Sequence, residues 1–268
     1  MSGLAGSDPW RAEADDAARG RHAHRAARQG EELLSASAAL SVRGLCKRFG
    51  PRVALSGVDL DLSAGEMLAV VGCNGAGKTT LLSIIAGVES PSEGYVSRSP
   101  DEVGWVPQQP ALYSTLSVAE NLRLFAALQR AADVDGVVAA MLAQTGLGGR
   151  ANERVGRLSG GNRQRVNVAL GLLSDPPVIV LDEPSTALDP PQRERLWDLI
   201  CEIAANGSAV LFSTHILQEA HRYADRVLVL DEGETLFLGA PAQLLALTGC
   251  EEFERAFVAL LEQRSAGR

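Results

Sequence analysis

The sequence predicts an α/β fold with a mostly parallel sheet, a small antiparallel β subdomain and a helical insert subdomain. Short, apolar, β-branched runs such as MLAVVG, VIVLDEP and AVLFSTH alternate with helical stretches. This alternation is typical of a parallel sheet that is covered by helices on both faces. Alternating polar and apolar residues precede these runs, and the strand signal fades between Gln108 and Arg157. The alternation predicts the antiparallel β subdomain, and the loss of the strand signal predicts the helical insert.

The antiparallel part is expected to begin near Leu40, where the segments LSVRGLCKRF and VALSGVDLDL show strand-like alternation. Residues 1–38 are expected to be a flexible N-terminal tail. That stretch has no apolar core of the kind a secretory signal needs, and its mixed acidic and basic residues argue against a transit peptide.

A glycine-rich loop follows the apolar run MLAVVG and precedes the helical run KTTLLSIIAGV. The loop, GCNGAGKT, matches the pattern GxxxxGK[ST] in full, and strand, loop and helix in this order predict a P-loop NTPase core. Glycines allow backbone N–H groups to converge on phosphate oxygens. Lys78 adds a positive charge, Thr79 offers a hydroxyl to Mg²⁺, and the helix start adds its positive dipole end. We therefore expect a nucleoside triphosphate to bind here.

Cys73 lies inside this loop, where its simplest role is that of a small filler. The helix dipole and Lys78 favour the thiolate form. We therefore expect that alkylation of Cys73 excludes the nucleotide.

The segment between the two sheet regions has helical spacing in VAENLRLFAAL and in VDGVVAAMLAQTGL, with no strand between them. This predicts a helical insert at about residues 109–157.

The run VIVLDEPSTALD provides two adjacent acids at the end of a predicted strand. Asp182 is expected to hold a metal-bound water opposite Thr79, and Glu183 is expected to act as the general base for the attacking water. The four apolar residues before Asp182 make an unpartnered carboxylate costly to bury at that point, which favours the metal role.

A second candidate anion site lies at LSGGNRQ, Leu158 to Gln164, which has the form of an exposed helix start. The whole insert separates it from Lys78, and we expect the insert to hold it away from the nucleotide of the first loop. Ser159, Gly160 and Gly161 are then expected to act on nucleotide bound to another copy or to a homologous chain. Two protomers packed head to tail would enclose two nucleotides.

The last part of the chain contains DRVLVLDEGETLFLG, which predicts two strands joined by an acidic turn. A C-terminal helix is expected over residues 246–268. Its apolar positions Phe253, Phe257, Leu260 and Leu261 share one face, which is expected to pack on the domain.

The chain has 268 residues and a formal net charge of −8, so a broad basic footprint for nucleic acid is missing and no nucleic-acid partner is expected. Its four cysteines lack CxxC spacing, which argues against a zinc site or a disulfide framework and favours a reducing compartment. An apolar run of about eighteen residues is also missing, so any membrane role is expected to need a partner.

Six motifs together resemble those of the ATP-binding cassette (ABC) ATPases. GCNGAGKTT, Gln108 in GWVPQ, LSGGNRQ, VIVLDEP, STALD and His215 in FSTH match, in that order, the phosphate loop, Q-loop, signature, acidic strand, D-loop and switch histidine of the family. The resemblance spans about Leu40 to Gly239. It implies an ABC ATP-binding domain over residues 39–245, with ATP and Mg²⁺ as cofactors and a dimer that sandwiches ATP.

The resemblance also implies residue roles. Glu183, His215 and Gln108 would be catalytic, with His215 on the γ-phosphate and Gln108 sensing Mg²⁺ and water. Thr79, Gln108 and Asp182 would bind the metal. Phe49 would stack on adenine, although a core position is its alternative, and Asp189 would brace the opposing protomer. The implied nucleotide-binding set is Phe49, Gly72, Cys73, Asn74, Gly75, Ala76, Gly77, Lys78, Thr79, Thr80, Ser159, Gly160, Gly161 and Asp189.

Two positions depart from the pattern of the family. Asn162 stands where glutamine is commoner, and Cys73 stands where proline is frequent. Both residues are small or polar, so hydrolysis is still expected.

Within the family, the short interval from Gln108 to Ser159 resembles bacterial exporters of drugs, antibiotics or lipids. The implied partners are separate transmembrane permease subunits, received by Pro110–Leu122, and a second ATP-binding cassette in a homodimer or heterodimer. The implied location is the cytoplasmic face of the cell membrane. The alternative is an ABC ATPase without a transport role, of the iron–sulfur assembly or cell-division type.

Overall fold

The apolar runs of the sequence form the inner strands of a six-stranded sheet in the structure, a computed structural model that describes residues 38–266. The strands are β3 (Met67–Val71), β5 (Val103–Val106), β6 (Val178–Asp182), β7 (Ala209–Ser213), β8 (Arg226–Asp231) and β9 (Glu234–Gly239). Their order in the sheet is β5-β6-β7-β3-β8-β9, parallel throughout except that β9 runs antiparallel to β8. The predicted α/β class with a mostly parallel sheet is confirmed.

A second sheet consists of three strands, β1 (Ala38–Phe49), β2 (Arg52–Ser63) and β4 (Glu93–Val96). It is antiparallel and has the order β2-β1-β4. The first two strands are the two alternating segments of the sequence, and β4 was not predicted. Ala38 already pairs with Ser63, so the sheet begins at the residue where the tail was expected to end. The rest of the tail lies outside the described residues.

Eight α-helices connect and cover the strands within residues 38–266. They are α1 (Lys78–Ile85), α2 (Val118–Leu128), α3 (Val134–Gln144), α4 (Gly160–Leu172), α5 (Pro190–Ala205), α6 (Leu217–Tyr223), α7 (Pro241–Thr248) and α8 (Phe253–Ala266). Within the described part of the chain, we find no helix long and apolar enough to span a membrane.

The central sheet is buried on both faces, which explains why its inner strands read as continuous apolar runs. One face packs against α5, α7 and α8, and the fully buried Trp197 meets Phe212 there with ring centroids 4.7 Å apart. The other face packs against α1 and the antiparallel sheet. The glycine loop lies at the carboxyl end of β3, directly before α1.

The predicted insert region contains α2 and α3, followed by two short 3-10 turns at Gly148–Arg150 and Val155–Arg157. Ser117 and Glu120 form a capping box that fixes the start of α2. The apolar core of this region extends beyond residue 157, because Val166 and Ala169 of α4 pack into the same cluster as Val118. Helix α4 therefore joins the insert to the main sheet.

The C-terminal part of the chain contains two helices, α7 and α8, and the last helix begins at Phe253 rather than near residue 246. The expected boundary at residue 245 falls inside α7, whose Leu244 is fully buried in the main core. Phe253, Phe257 and Leu260 pack in that same core, as their shared face predicts. The last helix is therefore part of the domain core, not a separate unit.

Candidate active site

The glycine loop turns sharply between β3 and α1. Gly75 and Gly77 adopt φ angles of +84° and +107°, which side chains with a Cβ rarely adopt. A Cβ on Gly77 would also lie 2.6 Å from the carbonyl oxygen of Ala54. The Lys78 ammonium group bends back over the loop and donates to the carbonyl oxygens of Gly72 at 2.8 Å and Cys73 at 3.3 Å. The loop is therefore preshaped around a positive charge.

The two acids at the end of β6 occupy different environments. Asp182 is 2% exposed, and its Oδ1 accepts a 2.6 Å hydrogen bond from the Ser213 hydroxyl. Glu183 leaves the strand with a φ of +46°, a left-handed conformation that is uncommon outside glycine. This turn carries the Glu183 side chain away from the buried strand end and toward the open cleft.

Three side chains meet the Oε2 atom of Glu183. The Gln108 amide donates at 3.1 Å, the Thr186 hydroxyl donates at 3.1 Å, and Nδ1 of His215 lies at 3.0 Å. Gln108 follows β5, Glu183 follows β6 and His215 follows β7. Because the carboxyl ends of parallel strands meet at one edge of a sheet, residues far apart in sequence become neighbours here.

Gln108, Glu183 and His215 line one cleft with a volume of about 560 Å³. Its lining residues are Phe49, Arg52, Ala54, Asn74, Gly75, Gly77, Lys78, Thr79, Thr80, Gln108, Glu183 and His215. Phe49 is 47% exposed at this cleft, which is inconsistent with a core position. The structure thus brings together the glycine loop, both proposed polar sensors and the proposed base. Four predicted site residues are close in sequence to residues that line the cleft but do not line it themselves: Gly72, Cys73, Ala76 and Asp182.

The second glycine motif lies outside this cleft. Ser159 caps the start of α4 by accepting from the Asn162 amide at 3.4 Å, and both Ser159 and Gly160 are exposed. Asp189 caps the start of α5 by accepting from the Gln192 amide at 2.8 Å. None of these residues contributes to the walls of the cleft around Lys78.

The start of α4 is connected to α5 through Gln192, whose Oε1 accepts from the Gly161 amide at 3.0 Å. Arg165 on α4 lies close to Arg195 on α5. Burial, and then the charge of Arg195, lowers the pKa of the Arg165 guanidinium group. This flank of the motif is positively charged.

Three parts of the site were missed from the sequence. Arg52 and Ala54 reach the cleft because β1 and β2 form a hairpin in which Phe49 pairs directly with Arg52. Strand β5, which positions Gln108, was not predicted, although the apolar run VGWV before Pro107 is a weak signal for it. Ser213 lies within the run AVLFSTH, but nothing in the sequence pattern connects its hydroxyl with Asp182 and Glu183.

Comparisons with known proteins agree with this geometry. A family model described as ABC transporter matches residues 55–186. Nod factor export ATP-binding protein I of Burkholderia lata is 36% identical over 231 residues, which cover 81% of this chain and 76% of that protein. The chain belongs to the ABC transporter family. As a member of that family it binds ATP, and it is an ATPase.

Solved structures of ABC proteins have the same fold. The ATP-binding subunit of an ABC transporter aligns with a TM-score of 0.74 at 28% identity, covering 83% of this chain and 99% of that one. An ATP-binding cassette in a dimeric post-hydrolysis state bound to ADP and Pi aligns with a TM-score of 0.67 at 27% identity, covering 75% and 98%.

Proposed function

We propose that this chain is the ATP-hydrolysing subunit of an ABC exporter and that it drives separate transmembrane subunits. The observation that carries this proposal is the cleft, in which a phosphate loop with a buried lysine faces Glu183, Gln108 and His215. The export direction is supported by relatives that are named for Nod factor export.

In the proposed hydrolysis, Glu183 accepts a proton from the attacking water at its carboxylate. Gln108, Thr186 and His215 surround Oε2 and fix the direction of that carboxylate. The backbone amides from Asn74 to Thr79 and the ammonium group of Lys78 receive the phosphates. Phe49, exposed at the cleft, stacks on adenine.

The oxygen donors near the loop fit Mg²⁺, which prefers oxygen ligands and is bound by one or two carboxylates together with substrate phosphates. Thr79 offers a hydroxyl and Asp182 a carboxylate. Gln108 donates to Glu183 through its amide nitrogen, which leaves its carbonyl oxygen as the ligand atom. When bound, the ion would neutralise negative charge on the phosphates during transfer. Residues 38–266 contain no dense cluster of His, Cys, Asp and Glu that would hold a metal without the nucleotide.

Ser159, Gly160 and Gly161 are proposed to complete the cleft of a second cassette. Ser159 and Gly160 are exposed at the start of α4, Gly161 next to them is buried, and none of the three lines the cleft of its own chain. Head-to-tail packing of two copies, or of this chain with a homologous cassette, brings each helix start to the other chain's γ-phosphate. Asp189 would brace the opposing protomer. The dimeric state of a similar cassette supports this arrangement.

The membrane partner is proposed to dock on the segment Pro110–Leu122, at the cytoplasmic face of the membrane. Tyr113 in this segment is 53% exposed, and its backbone is held by two hydrogen bonds with Asn121. An exposed aromatic side chain on a fixed backbone is typical of a protein interface.

The test is recovery of the partner from detergent-solubilised membranes with the tagged chain. We expect a multi-span membrane protein to copurify with the native chain, and Tyr113→Glu to lower its yield at least about tenfold, as expected for loss of an interface anchor. ATP turnover by the isolated Tyr113→Glu chain should persist.

The control is Leu247→Glu, which places the same charge on an exposed position of α7 that is 61% exposed. It should retain the partner. Copurification of soluble scaffold proteins in place of a membrane protein would contradict the exporter and support the assembly-type alternative.

Alkylation of Cys73 with a maleimide is expected to abolish ATP binding. Cys73 is the exposed cysteine among the four, all of which are free thiols, and it lies in the phosphate loop. A bulky group there competes with the phosphates for space. ATP binding is measured by nucleotide fluorescence before and after labelling, and saturating ATP should protect the thiol. Cys73→Ser is the control that should bind ATP with or without reagent; intact ATP binding by the labelled native chain would contradict the expectation.

A further inference from the structure

Ser213 lies at the last position of β7, where it is fully buried and does not line the cleft. Its hydroxyl makes two hydrogen bonds. It donates to Oδ1 of Asp182 at 2.6 Å and accepts from the Glu183 amide at 2.9 Å. One buried atom therefore connects both acids of the proposed hydrolytic site.

The direction of these two bonds follows from the groups involved. A backbone N–H can only donate and an ionised carboxylate can only accept, so the single proton of the hydroxyl points to Asp182. The parallel register pairs Asp182 directly with Ser213, which brings the hydroxyl to the carboxylate. Asp182 is therefore held through Oδ1.

The second bond lies at the residue with the unusual backbone. Glu183 has a φ of +46°, a strained conformation for a residue other than glycine, which persists only where the surrounding structure holds it. The Ser213 hydroxyl accepts from the amide of this residue. That bond stabilises the turn that sends the Glu183 carboxylate toward Gln108 and His215.

We propose that Ser213 is a positioning residue that holds the metal-binding carboxylate and the general base in a fixed mutual geometry. This rests on the proposed function, which assigns those roles to Asp182 and Glu183. Ser213 does not line the cleft, so it acts through the two acids and not on the nucleotide. Its loss should therefore affect the catalytic step much more than nucleotide binding.

The experiment compares ATP turnover of the native chain with that of three variants at position 213. Ser213→Ala removes the hydroxyl, Ser213→Cys keeps most of the volume but bonds poorly, and Ser213→Thr keeps the hydroxyl. We expect Ala and Cys to lower kcat by about tenfold or more, which is the size of effect that loss of a hydrogen bond to a charged group has. KM for ATP should change by less than about twofold, because Ser213 does not line the cleft. Thr should retain most of the native kcat.

The matched control is Ser41→Ala. Ser41 is also buried, at 2% exposure, and donates to Oδ1 of Asp61 at 2.6 Å, but it lies in the antiparallel sheet away from the cleft. The kcat of this variant should stay at the native value, and its Tm shows what loss of a partly buried serine–aspartate bond does to stability alone.

The inference is overturned if Ser213→Ala keeps a kcat within about twofold of the control, if KM changes as much as kcat, or if Thr and Ala lose activity together. A native chain that hydrolyses no ATP would instead overturn the proposed function. The two failures are thus distinct, because one concerns the variants and the other concerns the native protein.

Discussion

Replacing Glu183 by Gln is expected to lower ATP turnover by about 10²–10⁴-fold, the usual contribution of a general base. The amide cannot take a proton from water, but it keeps the size of the side chain and an oxygen that can accept from Gln108 and Thr186. ATP binding should therefore persist, and a dimer with trapped ATP should accumulate. Turnover is measured by phosphate release and the dimer by size-exclusion chromatography with ATP.

Glu66→Gln is a matched control for this prediction. The Glu66 side chain is 13% exposed and that of Glu183 is 15% exposed, so both are largely buried carboxylates. Glu66 forms an ion pair with Arg226 at 3.0 Å and does not line the cleft. The control should lose some stability with this ion pair but keep its kcat. Native turnover in the Glu183 variant would show that another group is the base.

Mixing two inactive variants is expected to restore hydrolysis if the cleft is completed by a second chain. Lys78→Ala disables the phosphate loop. Ser159→Arg places a large side chain at the exposed start of α4, in the space where the γ-phosphate of the other chain's ATP would bind. In a mixed head-to-tail dimer, one site carries both defects and the other carries neither. An equal mixture should therefore recover up to roughly a quarter of native turnover, because half of the dimers are mixed and each has one intact site.

Each variant alone provides the control, since every site of its own dimer contains one defect. Ser159 is exposed, so the arginine should be tolerated at a cost of about 1 kcal/mol for the lost helix cap. Native turnover per chain should also fall on dilution, as mass action requires. Absence of recovery at any mixing ratio, with mixed dimers demonstrated by two different tags, would contradict completion of the site in trans.

Much of the fold was readable because burial on both faces leaves a clear trace in sequence. Strands β3, β6 and β7 are fully buried and appear as continuous apolar runs, and the GxxxxGK[ST] pattern fixes a loop between a strand and a helix. The two short strands β4 and β5 left little trace, with only four residues each. A short strand at a sheet edge is defined by its partner more than by its own residues.

The site shows the same difference between features that neighbours in the chain determine and features that depend on a partner strand. Lys78, Asp182 and Glu183 were found because their local chemistry depends on neighbours in the chain. Arg52 and Ser213 were missed because their roles depend on partners across strands: Arg52 pairs with Phe49 across the hairpin, and Ser213 lies opposite Asp182. The spacing of residues along the chain does not determine which residues of two paired strands lie opposite each other.

By itself, the sequence determined the α/β class, the phosphate loop, the tandem acids and the existence of a second glycine motif. These features depend on apolar periodicity and on residues close in the chain. Only the tertiary structure decided that Gln108 and His215 meet at one oxygen of Glu183, that Ser213 joins both acids, and that Ser159 lies outside the cleft. Strand order and register bring distant residues together, and neither is encoded in local pattern.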